Sequence, residues 1–257
     1  LILGITLIKI VWHNDAFRWY LKEKLGSRQK AQEAIESGCV RVNGMCVYKS
    51  SRLLGDNDEV CIDTQGLLCG RAGYKLRGFI EELKQVEIWT ESYLAYKNAL
   101  DIGSSTGGFT QVLLQNDIKS VVCVDVGKNQ LHPIVREDKR VKAFEECDIR
   151  TFVSKECFDI VVCDVSFISL YQILPCFRQI LCDEFIMLFK PQFEVGIKAK
   201  RNKKGVLQDS QEIILALESF CKDLQNEGFK IIHTQKSILS GKEGNEEFFI
   251  YAKKLCD

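Results

Sequence analysis

The residues best suited to chemistry begin at Asp101. The run Asp101-Ile102-Gly103-Ser104-Ser105-Thr106-Gly107-Gly108-Phe109 follows an apolar stretch and breaks into small side chains before a second apolar segment. Glycines at 103, 107 and 108 let backbone approach a bound molecule closely, and Asp101 puts an acid at the mouth of the turn. A second apolar run, Val121 to Val124, ends in Asp125, about twenty residues on, where a βαβ unit offers a carboxylate to a ribose. No lysine follows the glycines, which excludes a phosphate-gripping loop. An acid at the mouth suits a cationic or polar nucleoside cofactor better than a pyrophosphate. The expected cofactor set is therefore Asp101, Gly103, Ser104, Ser105, Thr106, Gly107, Gly108, Phe109 and Asp125, with Asp148 approaching the base. Asp164 and Lys190 close two later apolar runs. Lys75 is read as opening a helix through Phe79, Ile80 and Leu83, and positive charge is disfavoured in a helix's first turn, which singles this lysine out for work.

These residues need a scaffold that brings strand ends together. From Asn98 onward the pattern predicts strands at 99–102, 121–125, 141–144, 159–163 and 185–189, with a helix at 109–115. A long helix over 209–227 and strands at 230–233 and 247–252 follow, the last fitting an antiparallel insertion. This rhythm is that of an α/β, doubly wound, largely parallel sheet, whose ligands lie beyond the carboxyl ends of the strands.

The chain has 257 residues, 46% of them hydrophobic, enough for one large core and a smaller satellite. Its 35 basic and 35 acidic residues cancel, so a nucleic-acid partner must be sought in local patches. Many of the twelve cysteines sit inside apolar runs, as in Val122-Cys123-Val124, and read as small buried hydrophobes of a reducing cytoplasm. There is no C-x-x-C pair and the three histidines are scattered, so no metal site is expected. Leu1 to Trp12 is apolar apart from Lys9 but too short to span a bilayer, and residues 1–16 are assigned no structure. No membrane association is expected.

Between Asp15 and Gly38 two short helical patterns follow each other, with Ser27 placed to cap the second and Gly38 to end it. Alternating residues around Asn43-Gly44 signal a hairpin, and a strand at 59–62 completes a small sheet. Eight basic residues, including Arg18, Arg28, Lys30 and Arg41, stand against three acidic ones between Ala16 and Arg52, an excess suited to a phosphate backbone. A second basic run, Lys198-Ala199-Lys200-Arg201-Asn202-Lys203-Lys204, follows Lys190 and is expected to form a mobile clamp on RNA phosphates or a cofactor lid.

Ser27-Arg28-Gln29-Lys30-Ala31 with Val40-Arg41-Val42-Asn43-Gly44 resembles the small α+β RNA-binding domain named after ribosomal protein S-four, here over 17–62 and followed by a linker at 63–68. The D-x-G-x-x-x-G-G turn resembles the opening motif of S-adenosylmethionine-dependent methyltransferases. Lys75, Asp164, Lys190 and Glu247 together resemble the Lys-Asp-Lys-Glu tetrad of FtsJ-type ribose 2′-O-methyltransferases, implying a Rossmann-like methyltransferase domain over 69–257. In such a group Lys190, desolvated beside Lys75, serves as base while Asp164 and Glu247 orient it. The whole series of motifs resembles the TlyA family. That resemblance implies S-adenosylmethionine as cofactor and 2′-O-methylation of cytidine in ribosomal RNA of the large and, in some members, the small subunit, affecting capreomycin-type sensitivity. Two rival readings stay open: a non-catalytic RNA-binding protein, and the haemolysin that family members are often labelled. The target nucleotide and oligomeric state are not implied.

Overall fold

The computed structural model describes residues 16–36, 38–55, 57–63, 66–196 and 199–255, and the chain divides into two units, 1–68 and 69–257. The segment 1–15 therefore lies outside the described residues.

In the first unit, helix α1 (Ala16–Leu25) leads through Gly26, at φ +80°, into α2 (Arg28–Glu36). Ser27 Oγ accepts a hydrogen bond from the Lys30 amide at 3.1 Å, the expected N-cap. Gly38 ends the helix in the left-handed region at φ +73°. Strands β1 (Val40–Val42) and β2 (Met45–Cys46) form the expected hairpin, with Asn43 at φ +52° and Gly44 at φ +79° as the two central residues of the turn. Strand β3 (Val60–Ile62) pairs on the other side of β1. The Asn43 side chain ties the turn to that strand, donating to Asp58 at 2.6 Å and accepting from the Glu59 amide at 2.8 Å.

The second unit opens with α3 (Arg71–Gln85), whose Leu76, Phe79, Ile80 and Leu83 recur at helical spacing and are buried. The chain then runs through β4 (Asn98–Ile102), α4 (Gly108–Gln115), β5 (Ser120–Val124), α5 (Pro133–Arg136), β6 (Val141–Phe144) and β7 (Ile160–Cys163). It continues through α6 (Leu170–Gln179), β8 (Glu184–Phe189), α7 (Pro191–Glu194), α8 (Ser210–Asn226), β9 (Phe229–Lys236) and β10 (Phe248–Lys254). The seven strands lie in the order β6-β5-β4-β7-β8-β10-β9, and β10 runs antiparallel to both its neighbours. Every predicted strand is present. Because the chain leaves β4 towards β5 and β6 and then returns to β7 on the other side, a crevice opens at the carboxyl ends of β4 and β7.

Both faces of the sheet are covered. Phe79 of α3 stacks on Phe249 of β10 with ring centroids 4.5 Å apart, while Phe177, Phe185, Phe220 and Phe229 fill the opposite layer. A Cβ on Gly108 would stand 2.7 Å from the Gly73 amide nitrogen, so these two glycines let α3 and α4 approach backbone to backbone. The cysteines of the described residues are free thiols; Cys123 and Cys163 are buried in strands as expected, whereas Cys46 and Cys157 are exposed. Among the described residues no helix is long and apolar enough to cross a membrane.

Two expectations need correction. Helix α3 begins at Arg71 behind an extended Gly70, so Lys75 sits in its second turn and the first-turn argument does not apply to it. Helix α6 was not expected, although Leu170, Ile173, Leu174 and Phe177 mark one face; Ser169 caps it, and Glu194 beyond β8 accepts from both Ser169 Oγ, at 2.5 Å, and the Leu170 amide.

Candidate active site

The crevice holds a cavity of about 680 Å³. Its walls come from the ends of β4, β5 and β7, from the loops that follow β4 to β7, and from the start of α6. Strand-end hydrogen bonds fix those walls: the Gly103 amide donates to the Val124 carbonyl at 2.8 Å, and the Asp164 amide to the Ile102 carbonyl at 2.9 Å. Gly103, at φ +79°, is indispensable here, since a Cβ on it would meet the Asp164 carbonyl oxygen at 2.7 Å.

The expected cofactor residues divide. Gly103, Ser105, Asp125 and Asp148 line the cavity. Asp125 accepts from the Ser105 amide at 2.8 Å and from the Gly127 amide at 2.7 Å, which locks the carboxylate at the end of β5. Asp148 is held by a fork of hydrogen bonds from Arg150, the shortest at 2.6 Å, and this partner keeps its carboxyl below the usual range. Apolar Val126, Ile149, Val165 and Ile168 complete walls that suit a purine nucleoside.

The others lie off the cavity wall. Gly107 packs under Val135 and Leu131, Gly108 admits α3, and Phe109 is buried in the aromatic layer with Phe249. Thr106 accepts from the His132 amide through its carbonyl, and Ser104 is buried. Asp101 is not at the mouth: it is fully buried behind the turn, accepting from Thr110 Oγ1 at 2.5 Å. Burial above all, with the nearby charges of Asp164 and Asp125, overrides the Thr110 hydrogen bond and pushes its carboxyl up to about 7.

That shift makes a pH prediction. An unfolded chain releases this proton near 3.8, whereas the folded chain holds it to about 7, so its contribution to stability is complete below about pH 4 and is lost as pH rises towards 7. Asp101→Asn keeps an acceptor for Thr110 and removes the decline. Urea unfolding at several pH values should show the variant gaining on the wild type by on the order of a few kcal/mol across that window. Parallel pH profiles would disprove the buried proton.

Beside the cavity, the four residues of the expected tetrad are gathered as two ion pairs. Lys75 Nζ lies 2.6 Å from Glu247 Oε2, with side chains 8% and 3% exposed. Lys190 Nζ lies 2.6 Å from Asp164 Oδ1 and donates to Ser166 Oγ at 2.7 Å. The strand register brings the pairs together: Phe248 of β10 faces Phe189 of β8, so Glu247 and Lys190 extend adjacent antiparallel strands by one residue each. Asp164 belongs to the cavity wall as well as to the second pair. Ser166 was missed as the second partner of Lys190, although it stands within the Asp164-Val165-Ser166 run.

Phe167 was also missed. Its ring is 92% exposed at the cavity rim, its backbone is left-handed at φ +64°, and Phe193 of α7 lies 5.6 Å away between centroids. A bulky residue in that conformation costs on the order of 1–3 kcal/mol and persists only where the surroundings enforce it. Glu194 supplies part of that enforcement by binding α7 to the start of α6.

The basic residues show a similar division. Arg28, Lys30 and Arg41 of the first unit are exposed, as phosphate contacts require. Lys200 is exposed, but Arg201 turns inward and donates to the carbonyls of Gln192, at 3.0 Å, and Gly205. Arg201 is therefore an anchor and not a clamp residue. Lys198 and the side chain of Arg18 lie outside the described residues. Among the described residues, no cluster of three or more His, Cys, Asp or Glu is arranged to hold a metal ion.

Two family models match the chain, the FtsJ-like methyltransferase over residues 68–254 and the S4 domain over residues 20–60. It is 41% identical to the 23S rRNA (cytidine-2′-O)-methyltransferase TlyA of Campylobacter jejuni, over 91% of this chain and 98% of that protein. It is 33% identical to the 16S/23S rRNA (cytidine-2′-O)-methyltransferase TlyA of Mycobacterium tuberculosis, over 90% and 86% respectively. A solved structure from Streptococcus thermophilus, carrying a provisional hemolysin name, superposes with a TM-score of 0.66 at 31% identity, covering 96% of this chain and 90% of that one.

Proposed function

The chain belongs to the FtsJ-like methyltransferase family, in its TlyA group, and from that premise we propose that it transfers a methyl group from S-adenosylmethionine to the 2′-hydroxyl of a cytidine in ribosomal RNA. The observation that carries this reading is the pair of buried lysine–carboxylate contacts at adjacent strand ends beside a nucleoside-sized cavity. Relatives named for 23S and for 16S/23S RNA both support the large-subunit RNA as substrate, and the second adds the small subunit as an alternative target.

The cavity fits the cofactor. Asp125 offers fixed oxygens to ribose hydroxyls, the Gly103 backbone allows close approach, and the apolar walls take the adenine. When bound, the cofactor supplies an electrophilic methyl group. A ribose hydroxyl is a poor nucleophile until its proton is removed or polarised, and this is the task of Lys190. Asp164 and Ser166 hold its Nζ in place, while Lys75 and Glu247 wall the other side and exclude water. Near-attack placement of oxygen against methyl carbon, at ~3 Å, supplies much of the remaining acceleration.

Phe167 gives the target base a surface to stack on once it leaves its helix. Phe167→Ala should lower kcat/KM for ribosomal RNA about 5- to 150-fold, the worth of one base–aromatic stack, and leave cofactor affinity unchanged by calorimetry. Equal kcat/KM would remove the ring from substrate recognition.

The test of the function is ribose-methylation mapping of ribosomal RNA from cells lacking this protein and from cells expressing it. A 2′-O-methylcytidine confined to the expressing cells is the expected result. Identical maps, together with no binding of S-adenosylmethionine, would favour a non-catalytic RNA-binding protein.

A further inference from the structure

Beyond α7, residues 200–208 form a closed turn. Arg201 bridges to Leu207, the Gln208 amide donates to the Lys200 carbonyl, and Asn202 Oδ1 accepts from the amides of Lys204 and Val206. Lys200, Lys203 and Lys204 are exposed on it. The exposed lysines thus stand on a hydrogen-bonded turn whose inner side is fastened in two places.

One fastening is Asn245, which is 7% exposed and accepts from the Leu207 amide at 3.0 Å through Oδ1. Its carbonyl accepts from the Gly241 amide at 2.8 Å, and a Cβ on Gly241 would lie 2.6 Å from Glu247 Oε1. The loop 241–245 is therefore folded directly over the Glu247 carboxylate. The other fastening is Gln192, whose carbonyl takes Arg201 and whose side chain donates to Glu247 Oε1 at 3.4 Å. Both routes from the basic turn converge on the acid that pairs with Lys75.

We infer that Asn245 is a positioning residue that couples the basic turn at 199–207 to Glu247, so that seating RNA phosphates on the turn aligns the Lys75–Glu247 pair for methyl transfer. The inference rests on the proposed ribose methylation. A buried side-chain amide that caps another segment's backbone transmits a shift of that segment with little slack, because releasing it leaves both groups unsatisfied away from water. The lysines then do more than add affinity: they report substrate engagement to the reacting end of the sheet.

The experiment is a double-mutant cycle on the full-length protein, with ribosomal RNA as substrate and methyl transfer as readout. Asn245→Ala should lower kcat about ten- to a hundredfold while calorimetric affinity for S-adenosylmethionine stays unchanged. Replacing Lys200, Lys203 and Lys204 together by Ala should raise KM and lower kcat in the wild type, yet leave kcat unaltered where both routes are cut, in the Asn245→Ala/Gln192→Ala background. If Asn245→Ala does not fold, Gln192→Ala severs the second route and should show the same loss of kcat with cofactor binding intact. Unchanged kcat in the soluble variant, or losses that multiply independently, would overturn the coupling. A wild-type protein that leaves ribose unmethylated would defeat the functional reading itself and the inference with it.

Discussion

Lys190→Met yields a folded protein that still binds S-adenosylmethionine but transfers methyl groups about 10²- to 10⁴-fold more slowly, the range that a positioned proton acceptor contributes. Methionine keeps much of the length and volume of the lysine stem, so the packing at the end of β8 survives. What disappears is the amine 2.6 Å from Asp164 and 2.7 Å from Ser166. The cofactor contacts proposed for Gly103 and Asp125 come from the ends of β4 and β5, not from β8, and do not use the Lys190 amine. Single-turnover methylation with labelled cofactor, paired with calorimetry, separates the two effects. A residual rate within tenfold of wild type would show that the hydroxyl proton leaves by another route.

Breaking the Lys75–Glu247 pair should have the largest effect on stability. With the side chains 8% and 3% exposed, removing one partner strands the other's charge away from water, at a cost of about 3–5 kcal/mol. For a domain of this size that is a fall of about 10 °C in Tm for Lys75→Met or Glu247→Leu alone. The double substitution removes both charges and replaces them with apolar side chains, and such swaps are often neutral or stabilising. Thermal melts should therefore show the double variant more stable than either single one, while its methylation stays lost. Equal destabilisation in singles and double would mean that the contact contributes through packing and not through charge. Stability and catalysis then part company at one ion pair.

Much of this arrangement was legible in the chain because its signals are local. Apolar runs of strand length, closed by Asp125, Asp164 or Lys190 or broken by the Gly103 turn, mark the sheet and the rim where ligands lie. Asn43-Gly44 specifies a hairpin by backbone preference alone. What was not legible depends on where neighbouring segments pass. Gly107, Gly108 and Phe109 carry the same letters whether they face a ligand or protein, and only the approach of α5, α3 and β10 decides that they face protein. Asp101 likewise became an interior acid because α4 covers it with Thr110. Helix α6 has a clear apolar face but carries Pro175, and its start is secured by Glu194 from beyond the next strand, a partner that no local window contains. Arg201 was counted with its basic neighbours; the carbonyls that claim it belong to residues folded back on it.

The antiparallel insertion of β10 has a consequence for how the enzyme is born. Glu247 stands just ahead of that strand, which slots between β8 and β9 only after everything preceding it has been synthesised. While the nascent chain is still threading out of its own ribosome, the strands that frame the crevice, β4, β5 and β7, are already made, yet Lys75 has no acid to pair with. With Glu247 in its proposed role, competence to modify RNA arrives only once β10 has been made, and a polypeptide halted before residue 247 lacks that acid.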